Sequence, residues 1–267
     1  MTFMMREQTK EAKYLYCIVK CGEERSFNGM PAIGSGSDGI YTVAFEDLAC
    51  VVSDSPDMKY DSTRANMMAH ETVIERVMKE LTVLPVRFGT VTRKDTDSPV
   101  EDIRHKLLEN RYKEFQSLHE EMNNRVELGL KALWRDEKAI YQEIVAEHGE
   151  LRKLRDSVEG KSPEATHFDR MHLGEMVKKA LDQKRVKEAK MLLARLRSVT
   201  DRLLENKNMM DRMVLNAAFL VSKNRERECD EIVTRLDEEL GERMTFKYVG
   251  PTPPFSFCEI VVNWEEE

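Results

Sequence analysis

The stretch DSTRANMMAHETVIERVMKELTVLPVRFGTV, residues 61–91, contains two kinds of apolar repeat, and their order indicates the fold class. Its first part opens with capping residues at 61–63 and repeats apolar residues every third or fourth position, which predicts a helix as far as Leu81. Its second part, residues 82–91, is rich in β-forming residues and predicts a strand. An amphipathic helix followed directly by a strand indicates helices packed on a sheet, the α+β class.

A proline and a lone arginine interrupt the predicted strand. Pro85 has no N–H to give to a central strand, and burying an unpaired guanidinium at Arg87 is very costly. Together they predict an edge strand with Arg87 in a structural ion pair, and the candidate carboxylates are Asp54, Glu71 and Glu75. The alternative is an arginine that binds an anionic ligand.

His70 lies on the apolar stripe of the predicted helix. There it could act as a general base or a ligand, but the spacing of the sequence places no companion base or metal ligand beside it. A hydrogen-bonded core histidine is therefore the favoured interpretation.

The surrounding sequence predicts an N-terminal α+β domain over residues 1–122. Aromatic and β-branched residues predict strands at 14–20, 40–45 and 49–54, and helical periodicity resumes over 99–122. The loop at 34–39, GSGSDG, formally fits the dinucleotide-binding glycine pattern, but a strand-like run follows it where a helix should start. It is interpreted as a flexible linker.

Residues 123–267 predict a second, C-terminal domain. Alternation at 124–134 predicts a strand with one wet face, and a charged helical insertion follows over about 136–207. The rest predicts a strand, a helix and two closing strands, a set that can form a ferredoxin-like α+β sandwich. In chain order these predictions are strand 213–221, helix 224–241, strand 244–250 and strand 255–264.

Composition excludes several classes of function. The 267 residues carry a net charge of -7, which argues against a nucleic-acid or membrane binder, and no run approaches the ~18 apolar residues of a spanning helix. The five cysteines are an odd number in mostly apolar surroundings, as expected of reduced core thiols in a cytoplasmic protein. No phosphate-binding loop, zinc-ligand spacing or nucleophile motif occurs, so we expect no cofactor, no metal and no catalytic residue.

Basic residues are concentrated in one predicted helix, over residues 178–197. They could form an electropositive patch, for which a protein partner suits the acidic chain better than nucleic acid. A solvated helix face is the favoured interpretation, because charge runs are common on long helices.

Several blocks of the sequence resemble, in order, those of the gas vesicle protein F/L family (GvpF/GvpL). The most specific are VLPVRFGT and the motif GP-x-PP-[FY]-x-F, here GPTPPFSF, and the similarity spans nearly the whole chain. Thr252 stands where family members often have tryptophan. The blocks are YLYCIV, YTVAFEDLACVVSDSP, AHETVIERVMKELTVLPVRFGTV, RVELGLKALW, MVLNAAFLV and GPTPPFSFCEIVV.

This resemblance implies a non-enzymatic, cytoplasmic protein that helps to build gas vesicles, as an assembly factor or minor structural component. The implied partners are the hydrophobic shell protein GvpA and other accessory gas vesicle proteins. A soluble protein can hold such a partner at a sheet edge or in a hydrophobic groove, and the two candidate edges are the strand around Arg87 and the final strand. The candidate partner-binding or structural residues are Pro85, Arg87, Phe88, His70, Pro253, Pro254, Phe255 and Phe257.

Two other functions remain open at this point. One is a cytosolic ligand-binding regulator on a ferredoxin-like sandwich, and the other is an enzyme that uses His70 and Arg87.

Overall fold

The computed structural model describes residues 11–27, 29–35, 39–93, 96, 98–162 and 164–265. The chain forms two compact units. The first unit combines Met1–Glu127 with Pro251–Glu267, and the second is Leu128–Gly250. The segment 251–267, predicted as part of the C-terminal domain, therefore lies with the first unit.

The first unit is built on a five-stranded sheet whose strand order is β2-β3-β4-β1-β5. Neighbouring strands are antiparallel, and β1 lies next to the edge strand β5. Eight of the nine residues of β1 are buried, which fits its aromatic and β-branched sequence. The elements are β1 (Ala12–Lys20), β2 (Ser26–Phe27), β3 (Ile40–Phe45), β4 (Leu48–Ser55), α1 (Arg64–Met78), β5 (Val83–Pro85), α2 (Pro99–Glu101), a π-helix (Asp102–Glu109) and α3 (Tyr112–Met122).

The strand predicted at 82–91 is regular only over β5. Beyond Pro85, pairing continues as single bridges, from Val86 to Ile260 and from Val91 to Tyr14. The edge position predicted from Pro85 is confirmed, because β5 ends the strand order and pairs Pro85 with Cys17 of β1.

The glycine-containing loop lies partly outside the described residues, since 36–38 are not described. Before that gap, Ile33–Ser35 form a short 3-10 turn in which Gly34 has φ +72°. The Ile33 N–H donates to the Tyr16 hydroxyl at 3.0 Å, so this part of the loop is fixed to β1.

The second unit contains a four-stranded sheet in the order β7-β8-β6-β9. Helices α4 to α6 lie between β6 and β7 in the chain, and α7 lies between β8 and β9. Apolar residues of β6, β8, α6 and α7 form one buried core. The elements are β6 (Arg125–Trp134), α4 (Glu137–Glu147), α5 (Gly149–Val158), α6 (His167–Leu196), β7 (Arg202–Glu205), β8 (Met213–Ser222), α7 (Glu226–Leu240) and β9 (Met244–Thr252).

The predicted helical insertion, 136–207, was wrong at its end. Helical structure stops with a 3-10 turn at Val199, and β7 then pairs antiparallel with β8. All four residues of β7 are exposed, so its sequence lacks the apolar alternation that marks a half-buried strand.

The final strand predicted at 255–264 was also wrong. Pro253 and Pro254 lead into a turn in which the Phe257 and Cys258 N–H groups both donate to the Pro254 carbonyl, at 3.0 and 2.8 Å. Such a turn replaces a strand ladder because the two prolines supply no N–H. We call residues 251–265 the C-terminal strap.

Candidate functional site

The two segments that sequence reasoning proposed as partner-binding surfaces lie against each other. The Ile260 N–H of the strap donates to the Pro85 carbonyl at 2.7 Å, and the Arg87 N–H donates to the Ile260 carbonyl at 2.9 Å. Val86 and Ile260 thereby form a parallel bridge. The strap covers the edge at the end of β5, and the two candidate surfaces are one site.

Arg87 forms its ion pair with the strap. Its Nε lies 3.5 Å from a Glu259 carboxylate oxygen, and both side chains are about half exposed. The predicted partners Asp54, Glu71 and Glu75 were wrong, because the Arg87 side chain points to the outer surface where the strap passes. Asp54 instead pairs with the buried Lys13 and accepts a hydrogen bond from the Tyr41 hydroxyl at 3.0 Å.

A buried carboxylate fastens the start of the strap. Glu127 accepts the Ser256 N–H at 2.7 Å and the Ser256 hydroxyl at 2.6 Å, one on each carboxylate oxygen. Burial raises the pKa of Glu127, and the hydrogen bonds from Ser256 partly oppose that rise. Sequence reasoning placed Glu127 on the wet face of its strand and missed this role. The alternation that groups Glu127 with Gly129 and Lys131 is the pattern of solvent-facing positions, so no signal in the sequence indicated its burial.

Two further hydrogen bonds hold the far end of the strap. Arg111 donates from Nη1 to the Val261 carbonyl at 2.8 Å. Trp264 donates from Nε1 to the Val91 carbonyl at 2.8 Å. The strap is therefore fixed at both ends and at its middle.

The apolar residues of the motif GPTPPFSF face inward to different degrees. Pro253 and Pro254 are buried, and Phe255 is half-buried against the core of the first unit. Phe257 is half-buried. Phe88 packs against the same core as Phe255, so apolar side chains from both candidate segments share one cluster.

His70 lies in that core and is hydrogen-bonded, as the favoured interpretation of its sequence position expects. The Tyr14 hydroxyl accepts the Gly89 N–H at 3.0 Å and lies 3.0 Å from Nδ1 of His70. The other ring nitrogen of His70 donates its proton to the backbone of Val86, so in the neutral ring Nδ1 accepts from the Tyr14 hydroxyl. Burial lowers the pKa of His70 to about 4, although a backbone hydrogen bond at Val86 opposes that shift. The imidazole is thus neutral at pH 7, and its ring meets Phe88 edge to face with centroids 5.6 Å apart.

On its outer surface the site combines charge and apolar area. Arg87 and Glu259 are charged and half exposed, and Val261 is 41 % exposed beside them. Ile260 directs both its backbone groups toward β5, so the backbone of Glu259 faces the other way. This arrangement can bind a protein segment through backbone and side-chain contacts.

The basic run at 178–197 is partly neutralised. Lys184 pairs with Glu143 and Glu147 of α4, and Arg195 pairs with Glu239 of α7. An open groove of about 700 Å³ lies along the exposed side of this helix. Among the described residues it is lined by Glu175, Lys178, Lys179, Asp182, Gln183, Val186, Lys187 and Lys190.

Within the described part of the chain, no group of three or more His, Cys, Asp or Glu side chains is arranged to hold a metal ion. In the same residues, no helix combines the length and apolar character needed to cross a membrane.

Comparison with known proteins gives consistent results. Residues 12–259 match the family described as gas vesicle synthesis protein GvpL/GvpF. Gas vesicle protein F of Nostoc sp. (strain PCC 7120) is 27 % identical over 229 residues, 85 % of this chain and 91 % of the relative. Gas vesicle protein F of Haloferax mediterranei is 21 % identical over 236 residues, 87 % of this chain and 88 % of the relative.

Two solved structures share the fold. The crystal structure of GvpF from Anabaena sp. PCC7120 has a TM-score of 0.79 at 26 % identity, covering 94 % of this chain and 99 % of that one. The crystal structure of GvpF from Microcystis aeruginosa has a TM-score of 0.75 at 22 % identity, covering 93 % and 99 %.

Proposed function

The chain belongs to the GvpL/GvpF family of gas vesicle synthesis proteins, and on that premise we propose that it acts in gas vesicle assembly. In this proposal it is a non-enzymatic assembly factor or minor structural component of the cytoplasm and the gas vesicle. It binds the hydrophobic shell protein GvpA and other accessory gas vesicle proteins.

The observation that carries the proposal is the joint surface of β5 and the strap. A partner that adds a strand here meets the strap, because Ile260 already occupies the backbone groups of Pro85 and Arg87. The exposed Val261 offers apolar area, and the pair of Arg87 and Glu259 flanks it with both signs of charge. Apolar area with a charged rim suits a mostly apolar partner that must be held in solution.

We also infer that the second unit is a ferredoxin-like domain with an enlarged first connection. Its elements follow the order strand, helices, two strands, helix, strand, and its strand order is β7-β8-β6-β9. Numbered within the unit, that order is 2-3-1-4, which places the first and third strands at the centre as a ferredoxin-like sheet requires.

The proposal is tested by co-purification with GvpA. We expect Val261→Lys to reduce the GvpA recovered with the chain by roughly ten-fold, because it places a charge where apolar contact area is needed. Val186→Lys is the matched control, since Val186 is a 52 % exposed valine of α6 and belongs to the second unit.

Hydrogen exchange provides the second measurement. Binding of GvpA should slow amide exchange over residues 82–91 and 250–262. The role in assembly is tested separately, because cells that lack the chain should lose buoyancy. Equal GvpA recovery with both lysine variants and unchanged exchange in these two segments would refute the proposed binding surface. Normal buoyancy without the chain would refute the role in assembly.

A further inference from the structure

One face of α6 carries a regular stripe of exposed residues. The residues are spaced alternately four and three apart, so they lie along one side of the helix. On the opposite side, Lys184 pairs with Glu143 and Glu147 of α4. Every member of the stripe is exposed, so among the described residues no element covers this side of α6. The stripe consists of Phe168, His172, Glu175, Lys179, Asp182 and Val186.

The ends and the centre of the stripe differ in character. Phe168 is 82 % exposed at one end, and Val186 is 52 % exposed at the other. At the centre, Glu175 and Lys179 form no ion pair with each other or with any other described residue, although they are spaced four apart on one helix. The last four members of the stripe also line the open groove along α6. Apolar area at both ends and opposite charges at the centre are therefore available to a partner.

We propose that α6 packs antiparallel on α6 of a second copy of this chain, with the two-fold axis at the level of Val177. An isologous contact of this kind contains each facing pair twice, once on each side of the axis. Because the stripe reverses in character about its centre, the residues of every facing pair are complementary. The pairs are Phe168 with Val186, His172 with Asp182, and Glu175 with Lys179.

Asp182 can serve two partners in this contact. It already pairs with Arg185 of the same helix, and the Asp182 side chain is 53 % exposed. A carboxylate has two oxygens, so the second oxygen can accept the imidazole N–H of His172 from the other copy. The proposed contact therefore breaks no ion pair within the chain.

Charge and apolar character select this arrangement among the alternatives. A parallel contact sets each residue of the stripe against its own copy and opposes like charges at three positions. An antiparallel contact shifted by one heptad sets Glu175 against Val186, or Lys179 against Phe168, depending on the direction of the shift. Only the axis at Val177 matches apolar with apolar residues and acidic with basic ones.

Disulfide crosslinking tests the orientation and the register. All variants carry Cys21→Ser, which removes the half-buried thiol, whereas the other four cysteines are buried. A mixture of Phe168→Cys chains and Val186→Cys chains should form a crosslinked dimer under mild oxidation, because facing residues of two packed helices come within disulfide range. Neither variant should crosslink alone, because antiparallel copies of the same residue lie ~27 Å apart along the helices.

Charge exchange provides an independent readout by sedimentation of the full chain. Glu175→Lys opposes two lysines on each side of the axis and should weaken self-association by roughly ten-fold, because the pair occurs twice in the dimer. The double variant Glu175→Lys with Lys179→Glu restores the opposite charges and should restore the dimer. Glu238→Lys is the matched control, since it makes the same charge change at an exposed residue of α7.

Several results would overturn the proposal. These are a monomer at every concentration, crosslinking of either cysteine variant alone, no crosslinking in the mixture, or equal weakening by Glu175→Lys and Glu238→Lys. Circular dichroism confirms that each variant is folded, and every substituted position of α6 is exposed. The contact does not use the surface proposed for GvpA, so Glu175→Lys should leave the recovery of GvpA unchanged.

Discussion

Glu127 holds Ser256 with both oxygens of its carboxylate, at 2.7 Å to the N–H and 2.6 Å to the hydroxyl. A buried carboxylate is costly unless it is hydrogen-bonded, and here both bonds come from one residue of the strap, Ser256. The attachment of the strap therefore depends on this contact more than on the exposed pair of Arg87 and Glu259, since exposed ion pairs contribute little.

Glu127→Gln should lower the free energy of unfolding by about 1–2 kcal/mol, because the buried amide presents only one acceptor oxygen to the two donors of Ser256. Urea denaturation measures the change, and amide exchange over 251–265 should accelerate. Glu259→Gln on the same strap is the control and should cost less than about 0.5 kcal/mol. Equal losses for both variants would contradict the assigned role of Glu127.

The two buried histidines should respond oppositely to replacement by leucine. His70→Leu removes the acceptor of the Tyr14 hydroxyl and should cost roughly 2 kcal/mol. Neither ring nitrogen of His119 has a hydrogen-bond partner among the described residues, so His119→Leu should be neutral or stabilising. Thermal and urea unfolding at neutral pH measure both changes, and a comparable loss for the two variants would be the contrary result.

The same histidines make stability depend on mildly acidic pH. Burial lowers the pKa of both imidazoles from 6.5 to about 4, so below pH 6.5 the unfolded chain takes up protons that the folded chain does not. The free energy of unfolding should therefore fall as the pH drops from 6.5 toward 4. This slope should become smaller in His119→Leu, and an unchanged slope would show that His119 is not buried and neutral.

A third group whose titration affects stability, Glu143, lies in the second unit. Arg243 forms two hydrogen bonds to Glu143, at 2.6 and 2.8 Å, and lowers the pKa of that carboxyl from 4.5 to about 2 with help from Lys184. The contribution of the Glu143 carboxylate to the free energy of unfolding is complete above pH 4.5 and is lost as the pH falls toward 2. Glu143→Gln should reduce this loss of unfolding free energy at acid pH, measured by urea denaturation at a series of pH values. Glu150→Gln, at an exposed residue of α5, should leave the loss unchanged. If Glu143→Gln loses as much unfolding free energy at acid pH as the unchanged chain, other groups cause the loss.

Substitutions at Gly34 and Gly39 measure the cost of backbone strain with and without crowding by a neighbouring side chain. Both have positive φ, +72° and +78°, but a Cβ on Gly34 would lie 2.7 Å from the Tyr60 hydroxyl, whereas one on Gly39 meets no atom of the described residues within 4 Å. Gly39→Ala should cost about 1 kcal/mol from conformation alone. Gly34→Ala should cost at least about 1 kcal/mol more, and equal melting temperatures of the two variants would contradict the close approach.

Sequence patterns were sufficient where an element has a distinctive composition or one strong period. The run YLYCIV predicted β1 because it is rich in aromatic and β-branched residues. The apolar stripe through His70 predicted α1 because burial on one face of a helix leaves a repeat that can be read. β7 was missed because both its faces are exposed, so RLLE carries no alternation. The charged helical sequence before β7 also favoured the prediction that the helical insertion continues to about residue 207.

The strap shows the other limit of sequence analysis. Its apolar residues predicted a strand, yet two prolines and the bonds to Glu127 and β5 make it a turn followed by one bridge. Contacts such as Arg87 with Glu259 join residues that are far apart in the sequence. Local periodicity has no information on such pairs, so the segments could be predicted as candidates but their contact could not.

Because residues 251–265 complete the first unit, that unit cannot finish folding when its own first 127 residues leave the ribosome. The edge at Pro85 and Val86 stays open during translation of the whole second unit, and open edges are prone to aggregate in nascent chains. A chaperone or early partner would be needed most in that interval.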